Sequence, residues 1–203
     1  MMRAFAILPA AGRSRRMGQA KLLLPWGSTS LIEHVLKNWQ NSRVERTVVV
    51  LHPDDHEIAA RCEDALAVIC DPPPAEMKDS ICRGLQAVEQ VLQAGPDDVW
   101  LVAPADMPGI TPAAINGVIA AYEQRSSEQD EPPRIWAACH AGRRGHPVLF
   151  PWAMAREVPQ LGPDEGLKSL LSRHPVEQVE VNSSGIFADV DTPEDYERQR
   201  PLA

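Results

Sequence analysis

Cysteine is scarce in this sequence. Among 203 residues there are four, Cys62, Cys70, Cys82 and Cys139. No two form a Cys-x-x-Cys pair and no His-x-x-x-His accompanies them, which argues against a zinc site. So few in a chain this long make no disulfide framework, and the plain reading is thiols packed on strands and helices. Long apolar runs are also missing. None approaches the ~18 residues that a membrane helix needs, so no membrane partner is expected. The opening MMRAFAILPAAG holds a short apolar run that ends in loop chemistry. Without the longer apolar region and processing site of a signal peptide, it leads us to expect a cytoplasmic protein. Basic residues are in the minority as well. Lys and Arg total 20 against 28 Asp and Glu, a net charge of -8. A nucleic-acid binder needs a basic face, so that class is disfavoured.

What is present is ordinary for a folded chain. Apolar residues make up 44% and charged residues 24%, which excludes a wholly disordered protein. One domain over residues 1–203 is expected. Strand-like and helical stretches alternate. Residues 3–8 read as a buried strand closed by Pro9. Ser30 can cap a helix to about residue 41, with Leu31, Val35, Leu36 and Trp39 on one face. The β-branched run 46–51 reads as a second strand. Asp54 or Asp55 can cap a helix in which Ile58, Cys62 and Leu66 share a face, and 67–70 a third strand. Three consecutive prolines make 71–78 a stiff loop. A helix should follow from Asp79 or Ser80 to Ala94, stopped by Gly95-Pro96, then a strand over 99–103. Thr111-Pro112 opens a helix to about Gln124, and 126–133 is an acidic, Pro-rich loop. Strands are expected at 134–138, 146–150 and 176–181, with helices at 165–173 and 192–198, the last capped by Thr192. The alternation predicts an α/β fold, a mostly parallel sheet with helices on both faces, with some antiparallel pairing in the second half. Ligands in such sheets bind beyond the carboxyl ends of the strands, so the loops after Leu8, Cys70 and Ala103 are the ones to examine.

The first of these loops carries the strongest signal. Ala10, Ala11 and Gly12 present little side chain, so backbone N–H groups can approach a ligand. Arg13, Arg15, Arg16 and Lys21 then bring four cations within nine residues, with no acid among them. In an acidic protein this local reversal points to an anionic ligand, and a triphosphate fits backbone donors plus cations. The spacing is neither that of a Walker A loop nor G-x-G-x-x-G, which disfavours P-loop kinases and Rossmann dehydrogenases. Asp106, in Ala105-Asp106-Met107-Pro108, follows the fourth strand and is placed to hold Mg²⁺, an ion that takes one or two carboxylates plus substrate phosphates. A turn or cap role is its plainer reading. Asp189 and Asp191 alternate along a strand end, so only one of them can face a shared metal. Arg143-Arg144-Gly145-His146-Pro147 offers a histidine able to meet a phosphate or orient a substrate, or to serve as a structural residue. A Lys21 exposed in its loop would contribute little to stability in the absence of ligand.

These four segments, in this order, resemble the nucleotidyltransferases that process molybdenum cofactor, the molybdopterin-dinucleotide synthases. Within that group they look most like the molybdenum cofactor cytidylyltransferases. The pattern A-A-G-x-S-x-R-M-G-x-x-K-L-L-L-P matches Ala10 to Pro25, and D-M-P matches Asp106 to Pro108. G-H-P-V-L matches Gly145 to Leu149, and D-x-D-T-P-x-D matches Asp189 to Asp195. The resemblance implies a Rossmann-like nucleotidyltransferase type A fold with the nucleotide over the first loop. It implies that Lys21 and Arg16 hold the triphosphate, and that Ala10, Ala11, Gly12, Arg13 and Ser14 contribute to nucleotide binding. It also implies that Asp106 holds Mg²⁺ (or Mn²⁺) and that Asp189 or Asp191 completes the metal site. Backbone near Leu8 to Gly12 would read the base, and Asp71 to Ser80 would lie near the base or ribose. Gly145 and His146 belong to the substrate side. The chain departs from the pattern at Asp71 and Glu76, where relatives carry Asn and Gly, and at Ala105, commonly Gly. The implied reaction has a terminal phosphate on molybdopterin attack the α-phosphorus of a nucleoside triphosphate, with CTP expected, and loss of pyrophosphate. A client molybdoenzyme or its chaperone is a further partner consistent with it. The competing readings are a guanylyl- or sugar-phosphate nucleotidyltransferase of the same fold, and a non-catalytic carrier of molybdenum cofactor. The presence of both Lys21 and Asp106 favours catalysis over the carrier.

Overall fold

The structure is a computed structural model that describes residues 1–12, 17–125 and 132–201. Its strands are β1 (Ala4–Pro9), β2 (Pro25–Trp26), β3 (Thr29–Ser30), β4 (Arg46–Leu51), β5 (Leu66–Ile69), β6 (Val99–Val102), β7 (Ile135–His140), β8 (Arg143–Pro151) and β9 (Val176–Glu180). Its α-helices are α1 (Leu31–Gln40), α2 (His56–Ala60), α3 (Met77–Leu92), α4 (Pro112–Arg125), α5 (Leu167–Arg173) and α6 (Pro193–Gln199). No helix among the described residues is long and apolar enough to cross a membrane.

Seven strands form one sheet in the order β5-β4-β1-β6-β8-β7-β9. β5, β4, β1 and β6 run parallel. β8 is antiparallel to both β6 and β7, and β9 is parallel to β7. The sheet is therefore mostly parallel, with the antiparallel pairing in the second half, as the alternation predicted. β2 and β3 make a separate two-stranded ribbon.

β1 sits in the middle with both faces buried. Ala4, Ala6 and Leu8 face a core that includes Leu31, Ile32, Val35 and Trp39 of α1 and Ile115, Val118 and Ile119 of α4. Phe5 and Ile7 face a second core with Ile81, Leu85 and Val88 of α3. Gly84 lets α3 lie close on the sheet, since a Cβ there would stand 2.5 Å from Ile7 Cγ2.

Helix boundaries follow their caps. Ser30 begins α1 as read, its N–H donating to Glu33 Oε2 at 2.8 Å. α3 starts two residues earlier than expected. Glu76 holds the N-cap position and its N–H donates to Asp79 Oδ2 at 2.9 Å, so Asp79 serves as the third helical residue rather than the cap. A search for Ser, Thr, Asp or Asn at the cap passes over Glu76. α3 ends at Leu92, before Gly95-Pro96, because Gln93 takes the left-handed conformation at φ 52°. α2 is a short helix that does not carry Cys62 or Leu66. Leu66 instead pairs with Val48 in the sheet, where it satisfies strand hydrogen bonds that a longer helix would forfeit. The segment holding Asp189 and Asp191 is extended but belongs to no sheet; its anchor is the Val190 N–H donating to the Asp106 carbonyl at 3.0 Å. A 3-10 stretch, Trp152–Gln160, was not foreseen.

One polar clamp ties the elements beneath β1. Asp98 is 4% exposed. Its Oδ1 accepts from the Arg3 N–H at 2.8 Å, and its Oδ2 accepts from Arg3 Nη2 and the Gly95 N–H, both at 2.7 Å. Arg3 also donates to the Leu92 and Gln93 carbonyls, at 3.1 and 2.8 Å, capping the end of α3. Burial opposes the Asp98 charge, but the hydrogen bonds from Arg3 and Gly95 outweigh it and hold the carboxyl below its usual range. The stabilisation is then complete above the unfolded value of about 3.9 and is lost as pH falls through the lower folded value. Asp98→Asn should cost about 2 kcal/mol at pH 7 in urea denaturation, with the difference from wild type shrinking below about pH 4. An equal difference at pH 3 and pH 7 would show that the charge is not what stabilises.

Candidate active site

The carboxyl ends of β1, β4, β5 and β6 open into one cleft of about 690 Å³. It lies where the chain, having built outward from β1 through β4 to β5, returns to the other side of β1 as β6, the switch point at which such sheets bind ligands. β1 delivers Ala10, Ala11 and Gly12 to the cleft. Ala10 is held by its N–H donating to the Val50 carbonyl at 2.8 Å, and a Cβ at Gly12 would meet nothing within 4 Å. The backbone there is open to a ligand. β6 delivers Pro104, Ala105 and Asp106; the Ala105 N–H donates to the Pro9 carbonyl at 3.3 Å, tying the two loops together. The proline loop and the first turn of α3 form the far wall, with Pro73, Pro74, Glu76, Met77 and Ser80.

At the floor, one ammonium joins two carboxylates. Lys21 Nζ donates to Asp106 Oδ2 and, at 2.7 Å, to Asp191 Oδ1. The Lys21 and Asp106 side chains are 13% and 14% exposed, Asp191 40%. Lys21 is thus no exposed loop cation: it begins a 3-10 turn, Lys21–Leu23, tucked under the cleft. Burial works against its charge, yet the charges and hydrogen bonds of Asp106 and Asp191 override that and hold the ammonium above its ordinary value. Burial pushes the Asp106 carboxyl upward, with Lys21 opposing. Asp106 Oδ1 is buried and has no hydrogen-bond partner among the described residues.

Lys21, Asp106, Asp191, Ala10, Ala11, Gly12 and Ser80 all meet in the cleft. Arg13, Ser14 and Arg16 lie outside the described residues. Leu8 is wholly buried in the core beneath, and Asp71 is exposed outside the cleft lining. Asp189 does not line the cleft either; its side chain is exposed while its carbonyl accepts from Gln199 Nε2 at 2.7 Å. Gly145 packs closely, since a Cβ there would stand 2.4 Å from the Ile186 carbonyl oxygen. His146 lies below, its Nδ1–H donating to the Val102 carbonyl at 3.3 Å, and burial holds it below the ordinary imidazole value. Asp106 and Asp189 are close enough to oppose that shift.

The sequence reading passed over His52. It lies at the end of β4, is 7% exposed, and lines both the main cleft and an adjoining 430 Å³ compartment. Its Nδ1 accepts from the Asp54 N–H at 3.2 Å. The rule that ligands gather at carboxyl ends of strands would have found it, had the loop after β4 been examined with the other three. Gly109 and Gly185 were also missed. Their backbones cross so closely that a Cβ on Gly109 would lie 2.6 Å from Gly185 Cα. That crossing anchors the approach to Asp191, but no spacing pattern relates two glycines so far apart in the chain.

The described residues contain no group of three or more His, Cys, Asp or Glu able to hold a metal. Of the three carboxylates read from the sequence as cation ligands, Asp106 and Asp191 line the cleft and Asp189 does not. Two carboxylates, one with a buried oxygen awaiting a partner, suit a hard cation such as Mg²⁺ or Mn²⁺ that draws its remaining ligands from phosphates and water. The protein side of such a site is thus compatible with a divalent ion.

Residues 6–179 match the MobA-like NTP transferase domain family. The chain is 26% identical to purine catabolism protein PucB of Bacillus subtilis (strain 168), over 94% of this chain and 93% of that one. It is 24% identical to molybdenum cofactor cytidylyltransferase of Escherichia coli (strain K12), over 94% and 92%. The fold superposes on Rv0371c of Mycobacterium tuberculosis H37Rv with a TM-score of 0.78 at 24% identity, covering 97% of both chains. It superposes on the manganese complex of Rv0371c at 0.75, with 23% identity over 97% of both.

The pairing of Lys21 with Asp106 predicts a stability effect even without ligand. Lys21→Ala should destabilise the fold by about 1–3 kcal/mol, because it leaves a buried carboxylate without its cation. Adding Asp106→Ala should cost less than the sum of the two single changes. Strict additivity in a double-mutant cycle would mean that the two groups do not interact in solution.

Proposed function

The chain belongs to the MobA-like NTP transferase family and is a nucleotidyltransferase, and from this premise we propose that it moves CMP from CTP onto the terminal phosphate of molybdopterin or molybdenum cofactor. The observation that carries this reading is the cleft itself. An open Ala10-Ala11-Gly12 backbone, a buried ammonium and two carboxylates converge at the carboxyl ends of the parallel strands. The reading takes residues 1–203 as one nucleotidyltransferase domain acting in the cytoplasm. Its relation to molybdenum cofactor rests on the four sequence segments and on the names of four relatives, one a molybdenum cofactor cytidylyltransferase and three probable molybdenum cofactor guanylyltransferases.

In this reading the nucleotide lies over residues 10–12, with the Ala11 and Gly12 N–H groups turned to its phosphates and base, since that of Ala10 is taken by the Val50 carbonyl. Lys21 supplies positive charge to the triphosphate, together with Arg13 and Arg16 of the adjoining loop. Asp106 and Asp191 would hold Mg²⁺ or Mn²⁺, and a bound ion would add positive charge at the α-phosphate and leaving pyrophosphate. The acceptor's phosphate oxygen forms the new bond to the α-phosphorus as the bond to pyrophosphate breaks. That oxygen is already ionised near neutral pH, so the protein needs no strong base; its part is positioning and charge compensation. Gly145 and His146 are assigned to the acceptor side, where the imidazole leaves Nε2 for a hydrogen bond while Nδ1 meets the Val102 carbonyl. Ser80 and the proline loop form the wall beside the base and ribose.

Ala11 gives the base preference its physical basis. Its methyl takes up volume that a larger guanine would need, and a methyl of this kind discriminates by ~1–3 kcal/mol. Comparing kcat/KM for CTP, GTP and ATP with molybdopterin as acceptor should rank CTP first by roughly 10–200-fold. Ala11→Gly should narrow the gap. Equal use of GTP would defeat the cytidylyl assignment and leave the nucleotidyltransferase standing. Asp106→Asn should lower kcat by roughly two to three orders of magnitude in a folded protein, the scale of losing one electrostatic contact to a transition state. Near-normal turnover would remove Asp106 from the machinery.

A further inference from the structure

We propose that Lys21 is a specificity determinant that makes divalent-cation binding conditional on the triphosphate. The proposal rests on the reading of Asp106 and Asp191 as the cation's carboxylates. Both of them meet the same Lys21 ammonium. Two carboxylates brought this close need a cation between them, because like charges disfavour joint ionisation. The position between them accepts one cation at a time. An ammonium and a divalent ion at van der Waals range repel, so each excludes the other.

The competition is uneven. Lys21 is tethered to its place by the turn that begins with it, so its effective concentration at the carboxylates is high. A hydrated Mg²⁺ sheds water reluctantly and finds only two protein carboxylates here. A free cation is therefore held off. A nucleoside triphosphate reverses the balance in two ways. Its phosphates give the ammonium a second anionic partner inside the same cleft, which the four-carbon stem of lysine can reach. Its oxygens also complete the cation's coordination. Asp106 is prepared for the exchange: Oδ2 takes the ammonium, while Oδ1 is buried with no partner among the described residues. The site thus selects the cation–nucleotide complex over the free ion, and a triphosphate over ligands with less charge.

The test is Mn²⁺ binding to the full chain, read from the loss of the free-ion EPR signal, with and without α,β-methylene-CTP and corrected for Mn²⁺ bound by the analogue alone. Wild type should bind Mn²⁺ weakly by itself and tightly with the analogue. Lys21→Gln should bind Mn²⁺ alone roughly tenfold or more tighter than wild type, and the analogue should add less to it. Lys21→Met provides the same comparison if the Gln variant does not fold. Mn²⁺ binding to either folded variant that is no tighter than to wild type overturns the proposal. Asp106→Asn separates this failure from failure of the underlying site. If Asp106→Asn abolishes Mn²⁺ binding in the presence of the analogue while Lys21→Gln gains nothing, the cation site stands and the gating falls. If tight Mn²⁺ binding survives Asp106→Asn added to Lys21→Gln, the cation sits elsewhere and both readings fall.

Discussion

The burial of β1 is the constraint on which the rest of the molecule depends. Six residues, Ala4–Pro9, run between β4 and β6 with both faces inside a core. Small Ala4 and Ala6 admit α1 and α4 on one side, and Phe5 and Ile7 fill the space beneath α3 on the other. A strand buried on both faces cannot shift register by a residue without exchanging these two sets of side chains. Its carboxyl end is therefore fixed in space, and with it the start of the loop that lines the cleft. The Arg3–Asp98 clamp secures the opposite end and joins it to α3.

The site uses charge against the trend of the chain. The protein is acidic overall, yet its most cationic stretch follows β1. Lys21, at the far end of that stretch, reaches two carboxylates 85 and 170 positions away in sequence. These contacts bind three parts of the fold: the turn after the first loop, the loop after β6, and the segment before α6. The same small region is reinforced by Tyr196 of α6 packing on Trp26 of β2, with ring centroids 6.0 Å apart. In the proposed reading stability and chemistry share residues at the floor of the cleft, and a group such as Lys21 is assigned to both.

The two halves of the chain differ in how openly they declare themselves. In the first, strand and helix alternate, and β1, α1 and β4 fall close to the spans read from apolar periodicity. The errors there have local causes: a Glu at a cap position, a left-handed Gln ending a helix, and a short α2 whose neighbouring apolar residues were claimed by β5. In the second, the 3-10 stretch Trp152–Gln160 and the extended segment around Val190 have no periodic pattern to reveal them. The first is held by burial of Met154 and Val158 in the core beneath α3, the second by burial of Val190 and its N–H bond to the Asp106 carbonyl, contacts that a linear pattern does not encode.

The sequence by itself determined the fold class, the strand that opens the site, the small-residue and cationic loop after it, and the candidate roles of Lys21 and Asp106. Apolar periodicity and local charge contrast are properties of neighbouring residues, so they survive in one dimension. The tertiary structure alone decided that Asp191 rather than Asp189 faces Asp106, that His52 lines the cleft, that Asp71 stands outside it, and that Lys21 is buried between two carboxylates. Each of these depends on which side of an extended segment or loop turns inward, and that is settled by packing against parts of the chain far away in sequence.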